Sequence, residues 1–372
     1  MVVGIHRNAQ VNVSKSALYQ NINNEKQRLS NNEHLFMVVK ANGYGHGAVD
    51  VAKIAKQAGA DGFCVAILDE GLELREAGID DPILVLGITR VEDVALMAKQ
   101  RISVTVSSLD WLKAAEKQLM GKDLPALEVH LGLDTGMGRI GFQDKDSLKK
   151  AVDYLEQSPC LDFEGIFTHF ATADSKSTDY FELQVRRFND LVSVIKNKPK
   201  YVHVSNSATS LWHSECNGNM IRFGVAAYGL NPSAGELDLP YKLRPAMSVT
   251  TEVVYCKKVA AGRAIGYGST YVAKDAEWIA TVPVGYADGI TRRMQGFKLL
   301  VNGEFCPIVG RVCMDQLMIK VPNEVKPGTK VTIVGQDGNN SITLQDIATY
   351  CDTIHYEVAC LLTSRLPRKL VE

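Results

Sequence analysis

The sequence carries almost no net charge: 41 basic against 42 acidic residues leave a formal −1 over 372 residues. Without a basic excess there is little to neutralise a phosphate backbone, so nucleic-acid binding is not expected. An anionic ligand would have to be held by local groups. Long apolar runs are missing too. No uninterrupted stretch approaches the ~20 residues of a membrane helix, and the opening MVVGIHRNAQVNVS has no apolar signal core with a cleavage site. The expectation is a cytoplasmic protein with no membrane contact. Among eight cysteines no Cys-x-x-Cys occurs. The chain is long enough to build an apolar core without staples. Cys64, Cys160, Cys216, Cys256, Cys306, Cys313, Cys351 and Cys360 therefore read as reduced thiols rather than as four disulfides. No metal site is expected, and neither low-complexity segments nor internal sequence repeats occur.

What the chain does have is a rhythm. From about residue 15 to 225, short apolar, β-branched runs alternate with longer amphipathic stretches. The strand candidates are 35–39, 62–66, 83–87, 102–106, 127–133, 161–167, 201–205 and 220–224. Helical spacing appears over 49–60, where Val49, Ala52, Ile54 and Ala55 share a face, and again over 70–78 and 181–198. Alternating strands and helices imply parallel βα units. Such a set closes into a (β/α)8 barrel or spreads into an open doubly wound sheet, and the barrel is the expectation. The rhythm changes after 231–245, which is rich in Pro, Gly and Ser. Beyond it come short strand candidates with few helices: 247–259, 278–284, 297–303, 304–312, 316–321 and 330–335. The fold class expected is α/β: a TIM-type (β/α)8 barrel over 1–240, then a mostly-β C-terminal domain over 241–372.

The strongest local signal is FMVVKANGYGHG (36–47). An apolar strand runs into Lys40, and Gly43, Gly45 and Gly47 follow. In a barrel, Lys40 would stand at the C-terminal rim, where catalytic side chains gather. A lysine with its stem in a protein wall can have a lowered pKa and form a Schiff base with an aldehyde. Tyr44 lies in a glycine-rich turn that lets backbone approach a ligand. The competing reading is a surface lysine before a flexible loop.

VVKANGYGHG resembles the pyridoxal-phosphate lysine motif of the alanine racemase family. The resemblance continues through DTGMGRIGF (134–142), FTHFATAD (167–174), SNSA (205–208), IRFGVAAYGL (221–230), IGYGSTY (265–271), VGYADG (284–289), GRVCMDQ (310–316), HYEV (355–358) and RLPR (365–368), in the family's order over nearly the whole chain. It implies a barrel plus β domain, pyridoxal 5'-phosphate as cofactor, and a head-to-tail homodimer with shared active sites. The implied activity is interconversion of L-alanine and D-alanine by two-base proton transfer, supplying D-alanine for peptidoglycan.

The resemblance also implies roles. Lys40 holds the cofactor and is one base; Tyr267, supplied by the partner subunit, is the other. Both ordinarily titrate near ~10, too high for efficient proton abstraction at neutrality, so nearby cations must lower them. Arg222 faces the pyridine nitrogen and, being permanently protonated, keeps that nitrogen bare. His169 links Arg222 to the tyrosine. Arg139 binds the substrate carboxylate with a planar donor fork. Cofactor contacts fall to Tyr44, Asn206, Ser207, the amides of Gly224 and Val225, and Tyr356. Met314, from the partner, lies against the substrate, with Asp315 beside it. Asp174, Arg292, Arg311 and Ile354 resemble the lining of a substrate corridor. Without the family in view, Tyr267 would read as a packed aromatic, Arg222 as a strand-end ion-pair partner and His169 as a buried structural histidine.

Two positions depart from the family pattern. Many members carry a carbamylated lysine where Gly132 stands, and glycine cannot be carbamylated. Arg139 then lacks its usual anionic neighbour, and a chloride, an ordered water or another carboxylate is expected to fill the gap, because a buried arginine charge left unpaired is costly. His355 precedes Tyr356 where asparagine is common. The rival readings are a barrel-type decarboxylase, a serine or broad-specificity racemase, and a non-catalytic cofactor carrier. Carriers resemble the barrel alone, against which the residues after the linker argue.

Overall fold

The structure, a computed structural model, describes residues 2–216 and 218–372. After β1 (Gln10–Ser14), eight short runs become strands: β2 (His34–Val38), β3 (Gly62–Val65), β4 (Ile83–Ile88), β5 (Ile102–Val106), β6 (Leu127–Gly132), β7 (Leu161–Phe167), β8 (Tyr201–His203) and β9 (Met220–Phe223). These eight pair in parallel in the order β8-β7-β6-β5-β4-β3-β2-β9. The two ends meet at a bridge between Ser205 and Ile221, where the Arg222 amide donates to the Ser205 carbonyl at 3.0 Å. The sheet is thus a nearly closed barrel, not an open doubly wound sheet.

The strands read as near-continuous apolar runs because both of their faces are covered. Every residue of β3 and of β5 is buried. Outside them lies a shell of helices. In Ala48–Gln57 the buried stripe is Ala48, Val51, Ala52, Ile54 and Ala55, so the face is set by Val51 where Val49 was expected. The helix stops just before Gly59, whose φ of +94° no ordinary side chain tolerates well.

The chain divides into two compact units, one of residues 17–43 and 48–244, the other of 1–16, 44–47 and 245–372. This differs from a cut at 240 chiefly at the N terminus. β1 alternates buried Val11 and Val13 with polar neighbours, and its partners lie at the other end of the sequence. It pairs antiparallel with Met247–Glu252 and parallel with Arg368–Val371. The C-terminal unit's larger sheet is completed by Lys330–Asp337, Lys298–Val301, Glu304–Pro307 and the short Asn340–Ile342. The apolar run 247–259 is two strands, Met247–Glu252 and Tyr255–Val259, which belong to different sheets. The unit is mostly β, with the short helices Leu344–Tyr350 and His355–Leu361 added. Among the described residues no helix is long and apolar enough to cross a membrane.

Asp288 anchors the N-terminal segment within this unit. Its carboxylate is fully buried and is held by the guanidinium of Arg7, by Arg365 at 3.3 Å and by the Gly285 amide at 3.0 Å. Asp288→Ala strands two cations beside a buried void and is expected to lower stability by about 3 kcal/mol. Urea unfolding checks this; a loss below about 1 kcal/mol would show that Asp288 does not anchor the segment.

Candidate active site

Lys40 stands two residues beyond the end of β2, half-buried, at the C-terminal rim of the barrel. Burial lowers its pKa, and the charges of Arg139 and Arg222 push it further down, opposed by Cys64 and Glu70. The chain then makes a left-handed turn: φ is +52°, +53°, +60° and +51° at Ala41, Asn42, Gly43 and Tyr44. Three of these are not glycine, each held in a region that costs an L-residue roughly 1 kcal/mol. The surroundings over-determine the turn. The Gly43 amide donates to Val39 at 2.7 Å, the Ala41 amide to Glu70 Oε1 at 2.6 Å, and the Ala48 amide to Asn42 Oδ1 at 2.9 Å.

Arg222, on β9, is 4% exposed. Its Nη1 donates to His203 Nδ1 at 2.7 Å and to the His203 carbonyl at 2.9 Å; its Nη2 reaches the carbonyls of Thr168 and Val204 and, at 3.4 Å, His169 Nδ1. None of these partners is a carboxylate. Burial lowers the Arg222 pKa to about 10, with Arg139 adding to the shift and Cys64 opposing it, which still leaves it charged at neutrality. His169, just past β7, is driven down to about 3 by burial and by the charges of Arg222, Arg139 and Lys40. It is a neutral imidazole among cations.

The helix Ser207–Trp212 begins at the same rim. Asn206 caps it, its Oδ1 accepting from the Thr209 amide at 2.9 Å. Ser207 Oγ accepts from the Gly224 amide at 2.9 Å and the Ala226 amide at 3.4 Å, which ties the helix start to the turn after β9. The Asn206 acceptor and the Gly224 donor are thus already engaged within the protein. Val225 is buried beside them, and Asp174 is half-buried in the same unit.

Arg139 is exposed in this chain, although Lys40, His169 and Arg222 all feel its charge. The anion or acceptor expected beside Arg139 belongs, in the expected homodimer, to a site shared between two subunits, and the exposure seen here is that of a single chain. The position that departs from the family pattern is tightly bounded: a Cβ on Gly132 would lie 3.3 Å from Ser107 Oγ and 3.4 Å from the Phe167 ring. Phe167 in turn stacks on His203 and lies under the Arg222 guanidinium at 5.4 Å.

The other expected residues lie in the C-terminal unit. Tyr44 faces Tyr356, ring centroids 6.2 Å apart, and His355 stacks on Tyr356 at 4.6 Å. Gly45 is required there, since a Cβ would lie 2.3 Å from the Ala359 carbonyl. Tyr267 is 72% exposed, on a turn whose flanking Gly266 and Gly268 both have positive φ. That turn packs on Arg311: Cβ atoms on the two glycines would lie 3.3 Å from the Arg311 amide and guanidinium. The neighbouring loop carries Met314, 53% exposed, and Asp315, which pairs with Arg365 at 2.8 Å. Tyr286 joins the loop through its amide and the Cys313 carbonyl, 3.0 Å apart. Arg292 and Ile354 are exposed in the same unit.

Several groups escaped the sequence reading. Glu70, clamping the Lys40 turn, sits in a stretch read only as helix. Tyr286 lies inside VGYADG and was given no role. His203 and His130 lie within strand runs, and nothing in their local spacing shows that the two imidazoles meet.

Two family models match, alanine racemase N-terminal domain over residues 13–232 and alanine racemase C-terminal domain over 246–370. The chain belongs to the alanine racemase family. It is 59% identical over 369 residues to the alanine racemase of Levilactobacillus brevis, covering 99% of each chain. The crystal structure of alanine racemase from E. faecalis superposes with a TM-score of 0.98 at 53% identity, over all of both chains. A histidine racemase from Leuconostoc mesenteroides also superposes over all of both chains, at 0.94 and 35% identity.

The electrostatics of Lys40 can be measured without any ligand. In the cofactor-free protein, the reductively methylated Lys40 amine is expected to titrate below the ordinary lysine value of 10.5. It is expected to move upward in Arg139→Met, because a cation has gone. An ordinary or higher wild-type midpoint, or a downward shift in the variant, would contradict the cation cluster.

Proposed function

We propose that the protein is a pyridoxal-phosphate-dependent racemase that interconverts L-alanine and D-alanine, acting in the cytoplasm as a head-to-tail homodimer. The observation that carries the reading is the grouping of Lys40, Arg139 and Arg222 at one barrel rim, close enough to depress the Lys40 pKa together. The donor set fits an anionic cofactor and a carboxylate substrate. It offers a lysine amine of lowered basicity and two guanidinium groups, one of them the buried Arg222, whose hydrogen-bond partners are carbonyls and imidazoles only.

Pyridoxal phosphate, when bound, supplies an aldehyde for covalent attachment and a ring that withdraws electrons from the substrate's α-carbon. Lys40 would carry it and, once freed by the incoming amino acid, move a proton at that carbon on one face. Arg222 would face the ring nitrogen; as a donor that does not give up its proton, it keeps that nitrogen bare and disfavours side reactions. Arg139 would bind the substrate carboxylate. Ser207, Tyr44, Tyr356, Asn206 and the amides of Gly224 and Val225 would hold the phosphate end. In that case the Gly224 amide now given to Ser207 becomes shared with the anion.

Tyr267 would be the second base, on the opposite face. A phenol 72% exposed in a single chain is poorly placed for proton transfer that must exclude bulk water. Met314 and Ile354, in the same unit, are large apolar side chains exposed at 53% and 59%. Covering them with a second copy's barrel rim would bring the phenol into a dry site and give His169 its link from Arg222 to the tyrosine. Arg292, Arg311, Asp174 and Ile354 would line the corridor to that site. The product's role would be D-alanine supply for cell-wall peptidoglycan.

Lys40→Ala is expected to abolish D-alanine formation in a coupled assay and to remove the cofactor-tagged peptide seen after borohydride reduction; turnover at the wild-type rate would overturn the assignment. Tyr267→Phe is expected to slow abstraction of the L-alanine proton by about a hundredfold or more while cofactor affinity stays near wild type. Equal loss of both would make Tyr267 a cofactor ligand instead. Across L-alanine, L-serine and L-histidine, alanine is expected to turn over fastest, and preference for histidine would reassign the substrate.

A further inference from the structure

Behind Arg222 a line of polar groups crosses the barrel interior. His203 Nε2 lies 2.7 Å from His130 Nδ1, and His130 Nε2 lies 3.0 Å from Glu164 Oε2. The far oxygen of Glu164 meets Lys200 Nζ at 3.1 Å, and Ser103 Oγ lies 2.8 Å from Glu164 Oε2 and 2.9 Å from Glu128. His130 and His203 are fully buried, and Glu164 and Arg222 are each 4% exposed.

Only one arrangement of protons makes every contact a hydrogen bond. Arginine has donors and no acceptor, so His203 Nδ1 must be bare where it faces Arg222 Nη1 at 2.7 Å. A neutral His203 then carries its proton on Nε2 and donates to His130 Nδ1. His130 in turn carries its proton on Nε2 and donates to Glu164, an ionised carboxylate that can only accept. A donor-only group closes one end of the line and an acceptor-only group closes the other. A second proton on His130 would turn its Nδ1 toward His203 as a donor. His203 would then present Nδ1–H to Arg222, two donors in contact.

The surroundings favour the neutral forms. Burial lowers the His203 pKa, helped by the charges of Arg222 and His130. It lowers that of His130 too, although Glu164 opposes the shift. Burial disfavours the Glu164 carboxylate, but the donors His130, Ser103 and Lys200 outweigh it and keep the group below its usual range. The barrel is also shaped for the line. Gly165 is the residue beside His130, and a Cβ there would lie 2.3 Å from His130 Nδ1. Phe167 stacks on His203 with the rings 11° from parallel.

We infer that Glu164, together with His130 and His203, is a positioning device. Its carboxylate fixes the direction of the chain Arg222 → His203 → His130 → Glu164 and so holds the Arg222 guanidinium in place at the barrel rim. This rests on the role given to Arg222 in the proposed function. With glutamine at 164, an amide N–H can face His130 Nε2, and the opposite tautomers become accessible. His203 would then push a proton at Arg222 and loosen it.

Long-range 1H–15N spectra of the histidine-labelled, cofactor-free protein test the direction. In the wild type both His130 and His203 are expected to carry the proton on Nε2 with Nδ1 bare; an Nδ1–H on either overturns the inference. In Glu164→Gln a second tautomer is expected at both histidines. With cofactor restored, kcat is expected to fall by about tenfold or more while KM for alanine moves less than about twofold. Unchanged tautomers in the variant, whatever the rate, overturn the claim that Glu164 sets the direction. Changed tautomers with wild-type kcat overturn the link to Arg222. The spectra need neither cofactor nor turnover, so a wild type that fails to racemise counts against the proposed function and not against the chain of tautomers.

Discussion

A guanidinium buried without a carboxylate partner is the constraint around which the barrel is arranged. Arg222 must have its donors satisfied in a site where water is scarce, and an unpaired buried charge is costly. The protein meets this with carbonyls at the ends of two neighbouring strand segments, two imidazoles and an aromatic face. Leaving the carboxylate out has a consequence. The positive charge stays uncompensated locally, so it adds to burial and to Arg139 in depressing the basicity of Lys40 and holding His169 neutral. The balancing negative charge at Glu164 is kept two imidazoles away, deep in the barrel.

The left-handed turn after β2 serves the same rim. A run of positive φ across Ala41, Asn42, Gly43 and Tyr44 reverses the chain at once, so that Lys40 stands just past the end of a rigid strand. The cost is met by local hydrogen bonds, and Glu70 supplies one from a different βα unit. On the proposed reading, the second base comes with an equally built turn, Tyr267 between two left-handed glycines. Both proton-moving groups would then sit on backbone that ordinary sequences avoid. Glycine-rich motifs around these two residues are the visible trace of that geometry.

Much of the fold was legible because its cause is local. The eight barrel strands are short β-branched runs spaced by amphipathic stretches, and they form within a residue or two of where the pattern puts them. The partners of β1 were not legible, since Gln10–Ser14 pairs with strands more than two hundred residues away and its alternation names no partner. The Val49 face missed by two positions because Val51 is equally apolar and lies deeper. Around the site, Lys40 carried its own signal in the glycine-rich turn after a strand, whereas Arg222 stood out only through the family resemblance. His130, His203 and Glu164 carried none: each looks like a polar interruption of a strand, and only closure of the barrel brings them into line. Arg139 shows the reverse limit, a residue whose motif is plain but whose exposure the motif does not report.

The most direct test of the account is the fate of the α-proton when the protein, loaded with cofactor, acts on protiated L-alanine in D2O. Two bases on opposite faces, as proposed for Lys40 and Tyr267, predict that the first D-alanine formed carries solvent deuterium at the α-carbon. Return of the substrate's own protium into D-alanine would mean that one base serves both faces, and the central claim would be wrong.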